Sequence, residues 1–323
     1  MAARDGRRPR RLPQRGARRD DDARRAAARV VRCRRHRVKS GFVAVAGRPN
    51  VGKSTLVNAL CGEKIAITST VPNTTRRRIF GVAHGADHQL ALVDLPGFQR
   101  PIDTLTERMQ QTVDSSFDDV DAVLLVVDAR AHIGSGDRFV ARRVFGLGTP
   151  VVIALNKVDR LKPAHIATQM KAAAALGDFH ALHPVSAKTK EGVGELRSDL
   201  VSLLPEGPAY FPETQATDLA LEERLAEIVR EKALHLTREE VPHAITVEVD
   251  ELEEGRVHAV IYVETESQKG IVVGRKGAMV REIGTRARPE VEALVGGRVF
   301  LELQVKVRPK WRRDPRMLER LGL

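Results

Sequence analysis

The stretch FVAVAGRPNVGKSTLVNAL, residues 42–60, reads in three parts: a short apolar run, a glycine-framed turn and a helix-forming segment. An apolar run ending at Ala46 suits a strand buried on both faces, and STLVNAL carries apolar residues at helical spacing. The turn between them, Gly47 to Ser54, fits G-x-x-x-x-G-K-[ST] in the strand-to-helix context that gives this pattern meaning. Backbone amides from Asn50 through Val51 and Gly52 to Thr55 then point at phosphate oxygens, Lys53 reaches the β and γ positions, and Ser54 ligates Mg2+. The helix N-terminus adds the positive end of its dipole.

Outward from this unit, QLALVD, DAVLLVVDA, PVVIALN and HALHPVSA repeat the apolar run with helix-length segments between them. That alternation indicates an α/β domain with a mostly parallel sheet and helices on both faces. Polar motifs follow the runs at the ends where such a sheet opens to ligand. In VDLPGF, Asp94 is placed to hold Mg2+ through water, and the Gly97 amide to meet the γ-phosphate. The intervening STVPNTTRRRI is polar and proline-broken, which suits a mobile loop that carries Thr75, or alternatively Thr74, to the metal. Turn chemistry is the other reading of both threonines. NKVD, Asn156 to Asp159, separates guanine from adenine: the Asp159 carboxylate can accept from guanine N1 and N2, while Asn156 and Lys157 brace the base and the first loop. SAK, from Ser186 through Ala187 to Lys188, offers a backbone amide to guanine O6. Candidate catalytic groups are therefore Lys53, Thr75 and Gly97, and candidate metal ligands Ser54, Thr75 and Asp94.

The proline-rich LLPEGPAYFPET closes this region and reads as a linker. A helix over LALEERLAEIVREKALHL follows, then strands AITVEVD and RVHAVIYVE, the loop GRKG, a helix through Leu294 and the strand RVFLELQVKV. GRKG, Gly274 to Gly277, lacks the Gly-Lys-Ser ending of the first loop. In this element order it looks like the G-x-x-G of a KH domain, which clamps single-stranded nucleic acid against the backbone. Ile271, Gly274, Arg275, Lys276 and Gly277 are the candidate RNA-binding residues. The apolar IVV before the loop, Ile271 to Val273, and Met279, Val280 and Ile283 after it line the groove wall or belong to the core, the core reading being favoured. Trp311 either stacks a base or anchors the chain's last helix.

The length of 323 residues suits two domains, and no apolar run approaches the roughly 18 residues of a membrane span. Fifteen Arg and Lys39 stand against four Asp in residues 1–39, so the net charge of +12 resides in that extension. With almost no large apolar residues, the extension is expected to be disordered: a solvated or RNA-touching tail, an over-extended start or, against its Asp20–Asp22 run, a targeting segment. Lys269 to Leu323, with fourteen basic and six acidic residues, forms a second basic region. Cys33 and Cys61 match no metal or redox spacing, and such low usage suits a reducing, cytoplasmic compartment.

GRPNVGKS, PNTTR, DLPG, NKVD and SAK, continued by EIVREK, PHAITVEVDE, GIVVGRKGAMVREIG, LELQVKV and WRRDPRMLERLGL, resemble the Era family of bacterial ribosome-assembly GTPases over residues 40–323. The resemblance implies a GTPase domain over 40–204, a linker over 205–217, a smaller α+β type II KH domain over 218–308 and a tail over 309–323. It also implies hydrolysis of GTP to GDP with Mg2+, binding to the 3′ end of small-subunit ribosomal RNA, and maturation of the 30S subunit. Asn50 resembles the residue through which related GTPases bind K+. A monomer is expected, and a peripheral contact with the inner face of the cell membrane stays open. The family usually reads Asp-Thr-Pro-Gly where Leu95 stands here, and residues 1–39 have no counterpart. Phe98 follows DLPG, where some GTPases place the glutamine that orients the attacking water. Two other readings remain: a nucleotide-gated RNA chaperone with vestigial hydrolysis, and a tRNA-modifying GTPase, whose folate or redox module has no candidate segment here.

Overall fold

β1 (Val38–Ala46) is the centre of the first sheet, with Val43 and Val45 buried on one face and Ala44 and Ala46 on the other. The computed structural model describes residues 38–98 and 101–323, and the expected extension up to Arg37, with Cys33, lies outside the described residues. The sheet claims Val38 and Lys39, two residues earlier than the sequence suggests. Around β1 run α1 (Lys53–Cys61), β2 (Ile79–His84), β3 (His88–Asp94), α2 (Thr104–Ser115), β4 (Ala122–Asp128), α3 (Ser135–Phe145), β5 (Val151–Asn156), α4 (Pro163–Ala174), β6 (Ala181–Val185), α5 (Val193–Ser202) and the short β7 (Glu206–Gly207).

The strand order is β2-β3-β1-β4-β5-β6, parallel except for β2, with β7 antiparallel on the start of β1. Leu56, Leu60, Leu196 and Leu200 of α1 and α5 cover one face. Val113, Val140, Val144 and Ala173 of α2, α3 and α4 cover the other. Because β3 lies on one side of β1 and β4, reached from β3 through α2, on the other, the carboxyl end of β1 opens into a crevice.

The second half comprises α6 (Leu221–Leu236), the single turn α7 (Val241–Ala244), β8 (Thr246–Glu253), β9 (Arg256–Val263), α8 (Glu266–Val273), α9 (Ala278–Val295), β10 (Phe300–Val307) and α10 (Pro315–Arg320). Its sheet is ordered β10-β9-β8, with β10 parallel and β8 antiparallel to β9. Leu225, Val229, Val272, Ile283 and Val291 pack on one face of it. Val260 and Tyr262 face the other way, onto Trp311, Met317 and Leu318 and onto Leu105 and Met109 of α2. The two halves therefore share a core cluster.

Two expectations need correction. Helix α8 occupies the segment read as an apolar approach to GRKG, and its start is signalled by Thr265 and Gln268, which form a reciprocal capping box. The linker is bonded along its length. Tyr210 N and Phe211 N donate to Gln89 Oε1 at 2.7 and 2.9 Å, Val82 N donates to Ala216 O at 2.8 Å, and Phe80 N to Asp218 Oδ1 at 2.9 Å. The Phe211 ring lies 6.2 Å from that of Phe42 and 6.3 Å from that of Phe80. Residues 206–218 thus form a strap on the first sheet.

Candidate nucleotide and RNA sites

At the end of β1 the backbone turns through Gly52, whose φ of 99° is left-handed. A Cβ there would lie 2.4 Å from Asn156 Nδ2, so only glycine lets the loop pass beneath NKVD. Asn156 exploits the gap: its Nδ2 donates to Val51 O at 3.0 Å. Lys53, the first residue of α1, is buried and donates to the carbonyls of Gly47 and Arg48, each at 3.2 Å. Burial pushes its pKa from an ordinary 10.5 down to about 8, against the opposing pull of Asp94.

Asp94 is fully buried at the end of β3. Ser54 Oγ donates to its Oδ2 at 2.7 Å, and Thr75 Oγ1 lies 2.9 Å from Ser54 Oγ and 3.3 Å from the same Oδ2. Burial raises the Asp94 pKa, with Lys53 working the other way. Asp94 Oδ1 is buried without a hydrogen-bond partner. One unsatisfied carboxylate oxygen beside two hydroxyls is the hard, oxygen-only donor set that Mg2+ takes while keeping several waters, so the residues present fit that ion. Thr74 is not brought there, since its hydroxyl donates to Val71 O at 2.7 Å, the turn chemistry that is the other reading of both threonines. A small cavity of about 60 Å³ is lined by Asn50, Lys53, Ser54, Thr75 and Gly97.

Beside it lies a cavity of about 580 Å³, lined by Thr55, Asn156, Lys157, Asp159, Ser186 and Ala187 among others. Ser186 Oγ donates to Asp159 Oδ1 at 2.9 Å and accepts from Thr189 N at 3.1 Å. The Ala187 amide, expected to face the base, donates to Asn156 Oδ1 at 3.0 Å, a bond with which guanine O6 would have to compete. Lys157 donates to Asn50 O and to Asp128 Oδ2, the latter at 2.7 Å. Asp128 went unread in the sequence although, like Asp94, it ends a parallel strand at the ligand-facing edge. His235 of α6 also lines this cavity, its Nε2 2.9 Å from Thr68 O, and no local pattern announces it.

Residues 42–157 match the family model described as a 50S ribosome-binding GTPase, and residues 240–312 the model of a KH domain. The chain is 42% identical over 294 residues to GTPase Era of Mycolicibacterium smegmatis and 45% identical over the same length to that of Mycobacterium tuberculosis. In both comparisons the match spans 88% of this chain and 98% of the relative. The chain belongs to the Era family of GTPases. Among solved structures, a variant of Aquifex aeolicus Era bound to GDP and AlF4− superposes with a TM-score of 0.85 at 38% identity, over 88% of this chain and 99% of that one. An Era complex with MgGDPNP and nucleotides 1506–1542 of 16S ribosomal RNA superposes at 0.83, with 37% identity and the same coverage.

Beside the usual Era motif, Leu95 is fully buried and Phe98 nearly so, both in the cluster beneath α2 and α3. The Phe98 ring stacks on Phe117, with centroids 6.0 Å apart and planes inclined by 19°. The Leu95 departure and the Phe98 side chain therefore both serve packing. In the KH half, Gly274 ends α8 at φ 72°, where a Cβ would come within 2.7 Å of Met279 Cβ. Arg275 and Lys276 stand exposed between the two glycines. Ile271 is 44% exposed, whereas Val272 and Ile283 are fully buried and Met279 and Val280 pack partly against them. Core is thus the right reading for most of the flanking apolar residues. Trp311 is an anchor: it is fully buried and its Nε1 donates to Ala244 O at 2.8 Å.

Proposed function

We propose that this GTPase is a nucleotide-driven switch that binds the 3′ end of small-subunit ribosomal RNA through its KH half and assists maturation of the 30S subunit. The observation that carries the reading is the convergence of Ser54, Thr75 and Asp94, with Asp94 Oδ1 left unsatisfied, on the same sheet edge as the Asp159–Ser186 pair. The RNA arm is supported by the exposed Arg275 and Lys276 over a glycine-shaped backbone, and by the Era relative that holds a 16S fragment.

Ser54, Thr75 and Asp94 would hold Mg2+, which, when bound, neutralises charge on the β and γ oxygens. Lys53, partly deprotonated when buried alone, regains its proton against the phosphates and stabilises charge there. Asp159 accepts from the base and Lys157 ties the base motif to the first loop. Phe98, stacked in the core, cannot orient water, so turnover of the protein alone is expected well below the ~1 s⁻¹ low end of typical enzymes. Asn50 donates its Nδ2 to Thr70 O at 2.8 Å, and K+ would be held by its other amide atom, the carbonyl oxygen Oδ1. The molecule is read as a cytoplasmic monomer. Its basic C-terminal segment is also the part that would meet an anionic membrane surface.

Single-turnover GTP hydrolysis with and without a 3′-end fragment of 16S ribosomal RNA, in KCl and in NaCl, tests the reading. RNA-accelerated hydrolysis supports it. Tight RNA binding with hydrolysis indifferent to RNA would favour the nucleotide-gated chaperone instead.

A further inference from the structure

Two arginines cross the boundary between the halves in opposite directions, on either side of Thr75. Arg230 of α6, 2% exposed, donates its Nη2 to Thr74 O at 2.5 Å while its Nε and Nη2 hold the Glu227 carboxylate at 2.8 and 2.7 Å. Arg76, 9% exposed, donates to the carbonyls of Ile245 at 2.8 Å and His243 at 3.2 Å, with its guanidinium 5.3 Å from the centre of the Trp311 ring. Upstream, Thr68 N donates to Glu231 Oε1 at 2.9 Å, and Thr68 O meets His235. Glu227, Arg230, Glu231 and His235 recur at three- and four-residue spacing, so one face of α6 grips the segment from Thr68 to Thr74 at both ends.

An interface that needed only to adhere would gain more from apolar side chains than from guanidiniums removed from water. Arg230 Nη1 is buried without a partner, so this contact is not optimised for adhesion. What a forked donor adds is direction, because it aims at one carbonyl and so sets the residue that follows. That residue is Thr75, whose hydroxyl sits at Asp94 and Ser54.

We infer that Arg230 is a positioning residue for GTP hydrolysis: from the KH half, through the Thr74 carbonyl, it holds Thr75 at the Asp94–Ser54 pair. The inference rests on the reading of Thr75 as the threonine that meets the metal. It implies that a partner displacing α6 reaches Thr75 most directly through the Arg230–Thr74 bond, while also releasing the α6 contacts at Thr68 and Arg77.

The full chain carries the test. Arg230→Lys keeps charge near Glu227 but loses the fork. Arg230→Met combined with Glu227→Gln removes the bond without stranding a buried carboxylate, and if this pair fails to fold the lysine variant decides alone. Single-turnover hydrolysis across an Mg2+ titration should show the limiting rate falling about tenfold, roughly one transition-state increment, and the Mg2+ half-saturation point rising. Mg2+-free GDP affinity, which does not use Thr75, should stay within about twofold. Thr75→Ala is measured alone and in combination. Effects that merge in the combined variant support the inference, because Arg230 then acts through Thr75. If Thr75→Ala leaves the Mg2+ dependence intact, the reading of Thr75 falls and the inference with it. If Thr75→Ala is impaired while folded Arg230 variants match the wild type, hydrolyse faster, or add their loss to that of Thr75→Ala, the inference alone is overturned.

Discussion

Ser186 donates its hydroxyl to Asp159 Oδ1 over 2.9 Å, so the two base-reading motifs are joined by a bond whose polarity is fixed at the carboxylate. In Asp159→Asn the same hydroxyl selects the amide rotamer that keeps oxygen toward Ser186, which leaves the NH2 group to face the base. An NH2 donor suits the extra carbonyl of xanthine and clashes with the donors of guanine. Competition binding should show XTP preferred over GTP in the variant, with GTP weakened by about a hundredfold, the scale of two charge-assisted bonds lost. Retained GTP preference would remove Asp159 from base recognition.

Lys53 has a second measurable signature. Its pKa of about 8 in the ligand-free protein leaves it half deprotonated at pH 8, and bound phosphates should restore it toward 10.5. Mg2+-free GDP binding at pH 8 should therefore take up about half a proton, read by titration calorimetry in buffers of different ionisation heat. The sign also fixes a stability trend. Between pH 8 and 10.5 the unfolded chain binds the extra proton, so this lysine's unfavourable contribution, complete below pH 8, is relieved as pH rises through that window. Proton release on binding would contradict the assignment.

Trp311 should matter for stability and not for RNA. Trp311→Phe loses the bond to Ala244 O and part of the ring, with an expected cost of about 1–3 kcal/mol. Trp311→Ala, which also leaves a cavity, should cost about 3–5 kcal/mol in denaturant melts. RNA affinity of the folded phenylalanine variant should be unchanged; a loss there would revive the base-stacking role.

Arg275 and Lys276 predict the reverse pattern. Arg275→Asp with Lys276→Asp places two acids on an exposed loop, so the melting temperature should barely move and GTP affinity should hold within about twofold. RNA binding should weaken by several kcal/mol, about 1–3 for each phosphate-facing cation removed, and its salt dependence should become shallower. Unchanged RNA binding would reduce GRKG to a turn.

Which elements were legible follows from how local their causes are. β1, β3, β4 and β5 are buried on both faces and appear as unbroken apolar runs, and GRPNVGKS, NKVD and SAK each act through adjacent residues. β2 has no such signature because it is a six-residue antiparallel edge strand interrupted by Gly81, whose partner register lies in β3. Before GRKG the apolar GIVV imitates a groove wall, and only the capping pair Thr265 and Gln268 marks it as the end of a helix. Arg230 meets Thr74 across 156 positions and Lys157 meets Asp128 across 29, separations that no motif spacing encodes.

The strap has a consequence for how far apart the halves can travel. Asp218 is still bonded to Phe80 of the first sheet, and α6 begins at Leu221, so Leu219 and Ala220 are the intervening chain. Two extended residues span about 7 Å, which makes this junction a pivot with almost no slack. Were the shared core to open, the gripping face of α6 would swing about that point without drifting away, and its effective concentration near Thr74 would stay at or above the millimolar level of short tethers. A lengthened junction would dilute that face while leaving every contact chemically intact, so the covalent reach of two residues sets how readily the opened molecule closes again.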